Sequence, residues 1–235
     1  MIFSAHWDHF GIGAPVNGDS IYNGAVDNAT GCAMLLEIAR AWAALEEKPR
    51  RSALFLSVTA EEGGLRGSEF YAAHPLVPTG KTAAAFNFDA YFPFGRVADV
   101  VIGGAERTTL WPLAEEAARR MGLKIEPDPR PEQGSYYRSD HFSFAKAGIP
   151  AFSIEMGDKF VGKPDGYGKK IFDEYNAKHY HQPSDEYNPD WDFSGLVQMA
   201  RFGFLLGMNT ANLEKLPTWR AGDEFLAGRE RSGVK

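Results

Sequence analysis

Three apolar runs in this chain are each followed closely by side chains able to bind a cation or move a proton. Ile2 to Ala5 leads into His6-Trp7-Asp8, Ala53 to Thr59 into Glu61-Glu62, and Thr82 to Phe88 into Asp89. A fourth acidic group, Asp27, sits in Gly24-Ala25-Val26-Asp27-Asn28-Ala29-Thr30-Gly31, just ahead of a stretch with helical spacing. Singly, each has an ordinary explanation: a histidine after a strand is usually a satisfied polar residue, adjacent glutamates are usually solvated, and an aspartate before a helix is usually an N-cap. Together they ask for more, because carboxylates gathered in one crevice repel unless positive charge sits among them. A pair of divalent metals supplies that charge, and imidazole nitrogen with carboxylate oxygen is a donor set that suits zinc. The spacing of His6-Trp7-Asp8 has its own logic. A zinc-bound imidazole usually gives its other N–H to a carboxylate, so Asp8 is expected to orient His6 rather than to bind metal.

The elements that must position these groups are legible as periodicity. Apolar runs at Ile2 to Ala5, Ala53 to Thr59, Thr82 to Phe88, Val100 to Gly103 and Ile149 to Ile154 read as buried strands. Helical spacing is found over Gly31 to Leu45, Gly67 to Ala73, Thr108 to Met121, Ser139 to Ala147 and Phe193 to Met208. Strands alternating with helices indicate an α/β domain with a mostly parallel central sheet. In such sheets the carboxyl ends of the strands form the ligand crevice, so three strands deliver histidine and carboxylate groups to one rim.

The remaining features set bounds. With 235 residues, the chain is long enough for one domain with a substantial core. Its net charge of −6, with no Lys/Arg-rich block, argues against a nucleic-acid partner. Apolar runs are too short to span a bilayer. The single cysteine, Cys32, excludes an internal disulfide and reads as a buried helix residue. Residues 128–138 and 157–170 read as long loops. The catalytic domain is expected over 1–211, with 212–235 a peripheral, polar tail. Because the chain opens directly on a strand that carries His6, a segment is expected to be missing upstream.

Taken in order, several blocks resemble peptidase family twenty-eight of the metallopeptidases. They are Ala5-His6-Trp7-Asp8-His9, Asn23 to Gly31, Thr59 to Ser68 around Glu61-Glu62, Asn87-Phe88-Asp89, Ser139-Asp140-His141-Phe142, Gly148-Ile149-Pro150 and His181-Gln182-Pro183-Ser184-Asp185. The resemblance runs from His6 to about Leu206. It implies a three-layer α/β/α zinc-exopeptidase fold and two zinc ions per chain. His6 and Asp89 would bind one ion, Glu62 and His181 the other, and Asp27 would bridge both, with a cis peptide bond following it. Glu61 matches the family's general base. The resemblance further implies release of N-terminal residues from peptides with a free N-terminus, and export from the cell. His141 is expected to help hold substrate or oxyanion, Tyr136 and Tyr137 to form a pocket wall, and Glu155 to face the crevice. His9, His74 and His179 are left without a catalytic or metal-binding role. A sister carboxypeptidase, using Arg66 or Arg138 for a substrate carboxylate, a single-zinc glutaminyl cyclase and a receptor-like binding domain are the rival readings. The complete set of ligand positions weighs against the last two.

Overall fold

The computed structural model describes residues 1–234. Among these described residues nine strands and seven α-helices follow one another in this order: β1 Ile2–His6, β2 Gly11–Val16, β3 Asp19–Tyr22, α1 Thr30–Ala43, β4 Leu54–Val58, α2 Arg66–Ala73, β5 Ala85–Asn87, β6 Asp99–Val101, α3 Trp111–Met121, β7 Lys124–Glu126, α4 His141–Lys146, β8 Ala151–Ser153, β9 Glu155–Met156, α5 Tyr167–Lys178, α6 Ser194–Ala211 and α7 Leu226–Arg231. The central sheet has the order β4-β1-β5-β8, and all three of its pairings are parallel. The expected α/β domain with a mostly parallel sheet is therefore what forms. A second sheet, β7-β6-β9, and a hairpin, β2-β3, complete the strands.

Alternation along the central strands explains the layers. In β1, Phe3 and Ala5 join one core cluster and Ile2 the other; in β5 and β8, Phe86 and Phe152 face the first and Ala85 and Ala151 the second. This is the period-two pattern of a strand whose two faces are both covered. On the first face lie Met34, Leu35, Ile38 and Trp42 of α1 and Met199, Phe202 and Leu206 of α6. Gly207 lets α6 approach the sheet, since a Cβ there would come within 2.4 Å of the Phe3 ring. On the second face lie Tyr71 of α2 and Phe144 and Ala145 of α4.

Three expectations need correction. Residues 212–234 are not a peripheral tail. Trp219 is 1% exposed and Arg229 is fully buried, and Trp219 with Phe225 packs into the second core cluster. The Trp219 indole N–H donates to the Gly148 carbonyl, and the Arg229 guanidinium donates to the carbonyls of Pro217, Thr79 and Thr82. This segment reads as polar because its few large apolar residues are widely spaced, and burial is decided by those residues. The second correction concerns residues 157–170, read as a loop: its end already belongs to α5. Third, Cys32 is only partly buried; its thiol faces the His6 carbonyl at 3.1 Å. Among the described residues no helix is long and apolar enough to cross a membrane.

Candidate metal centre

The carboxyl ends of the central strands bring the predicted residues together. His6 is the last residue of β1. Asp89 lies two residues beyond β5, and Glu61 and Glu62 follow β4 after a turn in which Ala60 has φ 55°. Asp27 comes from the irregular turn Ala25–Ala29 ahead of α1, where the Asp27–Asn28 peptide is cis, as the resemblance implied. His181, also left-handed at φ 56°, comes from the loop after α5. Left-handed backbone at a non-glycine residue costs on the order of 1 kcal/mol or more, and here two such residues flank or form the site.

Two groups of donors result, and Asp27 belongs to both. His6 Nε2 lies 3.2 Å from Asp27 Oδ1 and 3.2 Å from Asp89 Oδ1. His181 Nε2 lies 3.4 Å from Asp27 Oδ2 and 3.0 Å from Glu62 Oε2. Donors about 2.0–2.1 Å from a tetrahedral zinc ion stand about 3.3 Å from one another, so the spacing of both groups fits such ions. His6, Asp27 and Asp89 form one cluster with donor atoms mutually within 4.8 Å; His9, Asp27 and Glu62 form another.

The electrostatics follow from this crowding. Burial alone would lower the His6 pKa, but hydrogen bonds to Asp27 and Asp89 override it and raise it far above the ordinary histidine range. His181 is driven up to about 9 in the same way, burial being outweighed by Asp27 and Glu62. Glu62 goes down to about 2, because His181 and His9 outweigh its burial. The two imidazoles are therefore favoured as cations among these carboxylates. Glu61 behaves differently. Burial, then the neighbouring Asp89 charge, pushes it up to about 9, and among the described residues it has no ion-pair partner. A carboxylate inside the cluster yet outside both donor groups is free to handle a proton.

Neighbouring residues hold these groups in place. Ser139 Oγ donates to Asp89 Oδ2 at 2.5 Å. The buried Asp185 carboxylate accepts the N–H groups of Val26 and Asp27 and the Tyr175 hydroxyl, at 2.9 to 3.1 Å. Asn28 ties three segments together: its Nδ2 donates to the His6 and Phe88 carbonyls, and its Oδ1 accepts from Gly31 and Ala90. Residue type and spacing assign Ser139 and Asp185 no role and Asn28 only a helix-capping one; all three stand within the motifs that carry the family resemblance, which is the signal that points to them.

Not every candidate reaches the site as expected. Asp8 does not hold His6 through its carboxylate. His6 Nδ1 pairs with the Asp8 backbone carbonyl at 3.0 Å, and the Asp8 carboxylate accepts the Ala60 N–H at 2.7 Å, bracing the turn before Glu61. His141 is 1% exposed, stacks edge-on against Tyr136, and is pushed down to about 4 by burial. It is not among the residues that line the cleft. Tyr136 donates to the Ala151 carbonyl and is likewise off the cleft wall. Tyr137 and Glu155 do line the cleft, which has a volume of about 860 Å3 and includes Asp27, Glu61, Glu62, Asp89 and His181 in its wall. Burial pushes Glu155 up to about 7. Arg138 lines the cleft and Arg66 does not.

Fold and site together define a class: a mostly parallel α/β domain with a histidine–carboxylate cluster suited to divalent ions at its strand ends. The chain belongs to peptidase family M28, whose family model matches residues 1–202. Among solved structures it is similar to the LapA aminopeptidase of Legionella pneumophila, with a TM-score of 0.65 at 18% identity over 91% of this chain and 50% of that one. The aminopeptidase of Aneurinibacillus sp. strain AM-1 gives 0.61 at 24% identity, over 94% and 46%. The glutaminyl cyclase of Porphyromonas gingivalis gives 0.57 at 17% identity, over 89% and 71%. At these identities the likeness is one of fold, and the chain spans about half the length of the two aminopeptidases.

Proposed function

We propose that this peptidase is a two-zinc aminopeptidase, releasing N-terminal residues from peptides, with Glu61 as general base. The observation that carries the reading is the shared aspartate: Asp27 turns one oxygen to His6 and the other to His181, each within 3.4 Å. His6 and Asp89 would hold one ion, Glu62 and His181 the other, and Asp27 both. Divalent ions, if held by these residues, would supply the Lewis acidity that lowers the pKa of water and polarises a carbonyl. Glu61 takes a proton from the attacking water and passes it to the leaving amine, so the peptide C–N bond is exchanged for a C–O bond with no net change in the enzyme. Glu61 forms no ion pair among the described residues, and positive charge held at the neighbouring donors would favour its ionised form, the form that can take that proton. The Tyr137 and Glu155 side chains on the cleft wall would face the peptide.

The test compares a short leucine-led peptide with its N-acetylated twin, with zinc and with a chelator. Cleavage of the free peptide alone, stopped by the chelator, is the expected result. Cleavage of both overturns the aminopeptidase reading in favour of a carboxypeptidase, for which Arg138 on the cleft wall is the available cation. A glutamine-led peptide that cyclises without being cleaved overturns it in favour of cyclase chemistry, the activity named for one structural neighbour.

A further inference from the structure

His9 is the histidine beside the cluster to which the ligand assignment gives no task. Its side chain is 3% exposed. The ring is held edge-on by Phe10 and faces His181 with 5.7 Å between ring centroids. Gly24, at φ 66°, lies directly against it. A Cβ at position 24 would stand 2.7 Å from His9 Cβ and 2.4 Å from the Asp27 carbonyl oxygen, so only glycine lets the His9 ring and the Asp27 turn share that space.

His9 Nδ1 lies 2.7 Å from Glu62 Oε1, while the other carboxylate oxygen, Oε2, lies 3.0 Å from His181 Nε2. Glu62 is thus clamped between two imidazoles. The His9–Glu62 contact is an ion-pair approach rather than a formed hydrogen bond: among the described residues, neither ring nitrogen of His9 nor Glu62 Oε1 has a hydrogen-bond partner. The donor atoms of His9, Asp27 and Glu62 are close enough for His9 to be a ligand itself, but the distance decides against it. Two donors on one zinc ion stand about 3.3 Å apart, and the 2.7 Å between His9 Nδ1 and Glu62 Oε1 is too short for that and within the range of a charge-assisted imidazole–carboxylate contact.

We propose that His9 is a positioning residue of the second metal subsite: its Nδ1, pressed against the rear oxygen of Glu62 at 2.7 Å, fixes that carboxylate so that Oε2 would be presented with His181 and Asp27 to the ion. The inference rests on the two-ion reading above. Partners of this kind typically contribute about 10–100-fold to metal affinity, because they fix the orientation of the ligand.

The experiment measures zinc stoichiometry and affinity of the wild-type, His9→Ala and His9→Asn chains, by competition with a chromophoric chelator, with circular dichroism to monitor folding. An asparagine amide reaches the position of Nδ1 and donates there, yet it is a poor zinc ligand. His9→Ala is expected to lose about 10–100-fold in affinity for one ion and to keep the other, while His9→Asn stays close to wild type. Unchanged affinity in a folded His9→Ala chain overturns the proposal. So does a His9→Asn chain that is folded but as weak as His9→Ala, since that makes His9 a ligand. Wild-type chain that takes up fewer than two zinc ions overturns the two-ion reading itself, and the role of His9 with it.

Discussion

Asp140 is fully buried, and among the described residues neither of its carboxylate oxygens has a hydrogen-bond partner. Burial, reinforced by the Asp89 charge, raises its pKa from 3.8 to about 7. The sign of the consequence follows from linkage. Between about pH 4 and 7 the folded chain holds a proton that the unfolded chain has released, so stability falls as pH rises through that window. Three pH units at about 1.4 kcal/mol each set an upper bound of about 4 kcal/mol, and relaxation of the interior should leave about 2 kcal/mol. His141, pushed down to about 4 by burial, acts in the opposite sense up to its unfolded pKa near 6.5, so the wild-type profile mixes both. The substitution Asp140→Asn removes one titration and leaves the other. Urea unfolding of both proteins in excess chelator, at several values from pH 4.5 to 8, isolates the difference. Relative to wild type, Asp140→Asn should gain about 2–4 kcal/mol across that range, with the gain levelling off above pH 7. A difference that stays constant within about 0.5 kcal/mol would refute the reasoning.

Two further predictions follow from the cluster. Glu61→Gln should lower kcat by about 10²–10⁴ while zinc content stays at the wild-type value, and Glu62→Gln should lose one ion; equal zinc loss in both would end the division of labour between the two glutamates. Asp185→Ala leaves the buried N–H groups of Val26 and Asp27 without their carboxylate acceptor. Urea unfolding should show a loss of about 3 kcal/mol, accompanied by weaker zinc binding as the Asp27 turn loosens; unchanged zinc affinity would mean that Asp185 serves only stability.

Local pattern and chain order determined much of this protein. The apolar runs around Phe3, Phe55, Phe86 and Phe152 specify strands, and the helical spacing of Met34, Leu35, Ile38 and Trp42 specifies α1, because each element must bury one or both of its faces. A parallel sheet then has only one edge at which His6, Glu61, Glu62 and Asp89 can gather. The ordered motifs carried the family, and with it the ligand assignment that brings in His181. Tertiary structure alone decided the contacts that depend on approach from distant segments. That the Asp8 carboxylate goes to the Ala60 N–H while its backbone carbonyl takes His6 depends on how the β4 turn meets β1. That His141 points into the core rather than the cleft depends on Tyr136 arriving from a loop. The burial of Trp219 and Arg229 depends on a carbonyl-lined space built by residues 79–82, Gly148 and Pro217. His9 is the clearest case: as a sequence it is one histidine among six, and only the meeting of the Gly24 turn, Glu62 and His181 sets its Nδ1 at 2.7 Å from a carboxylate oxygen. Periodicity reports which face of an element is buried; it carries no information on which atoms from remote parts of the chain will share a hydrogen-bonding distance.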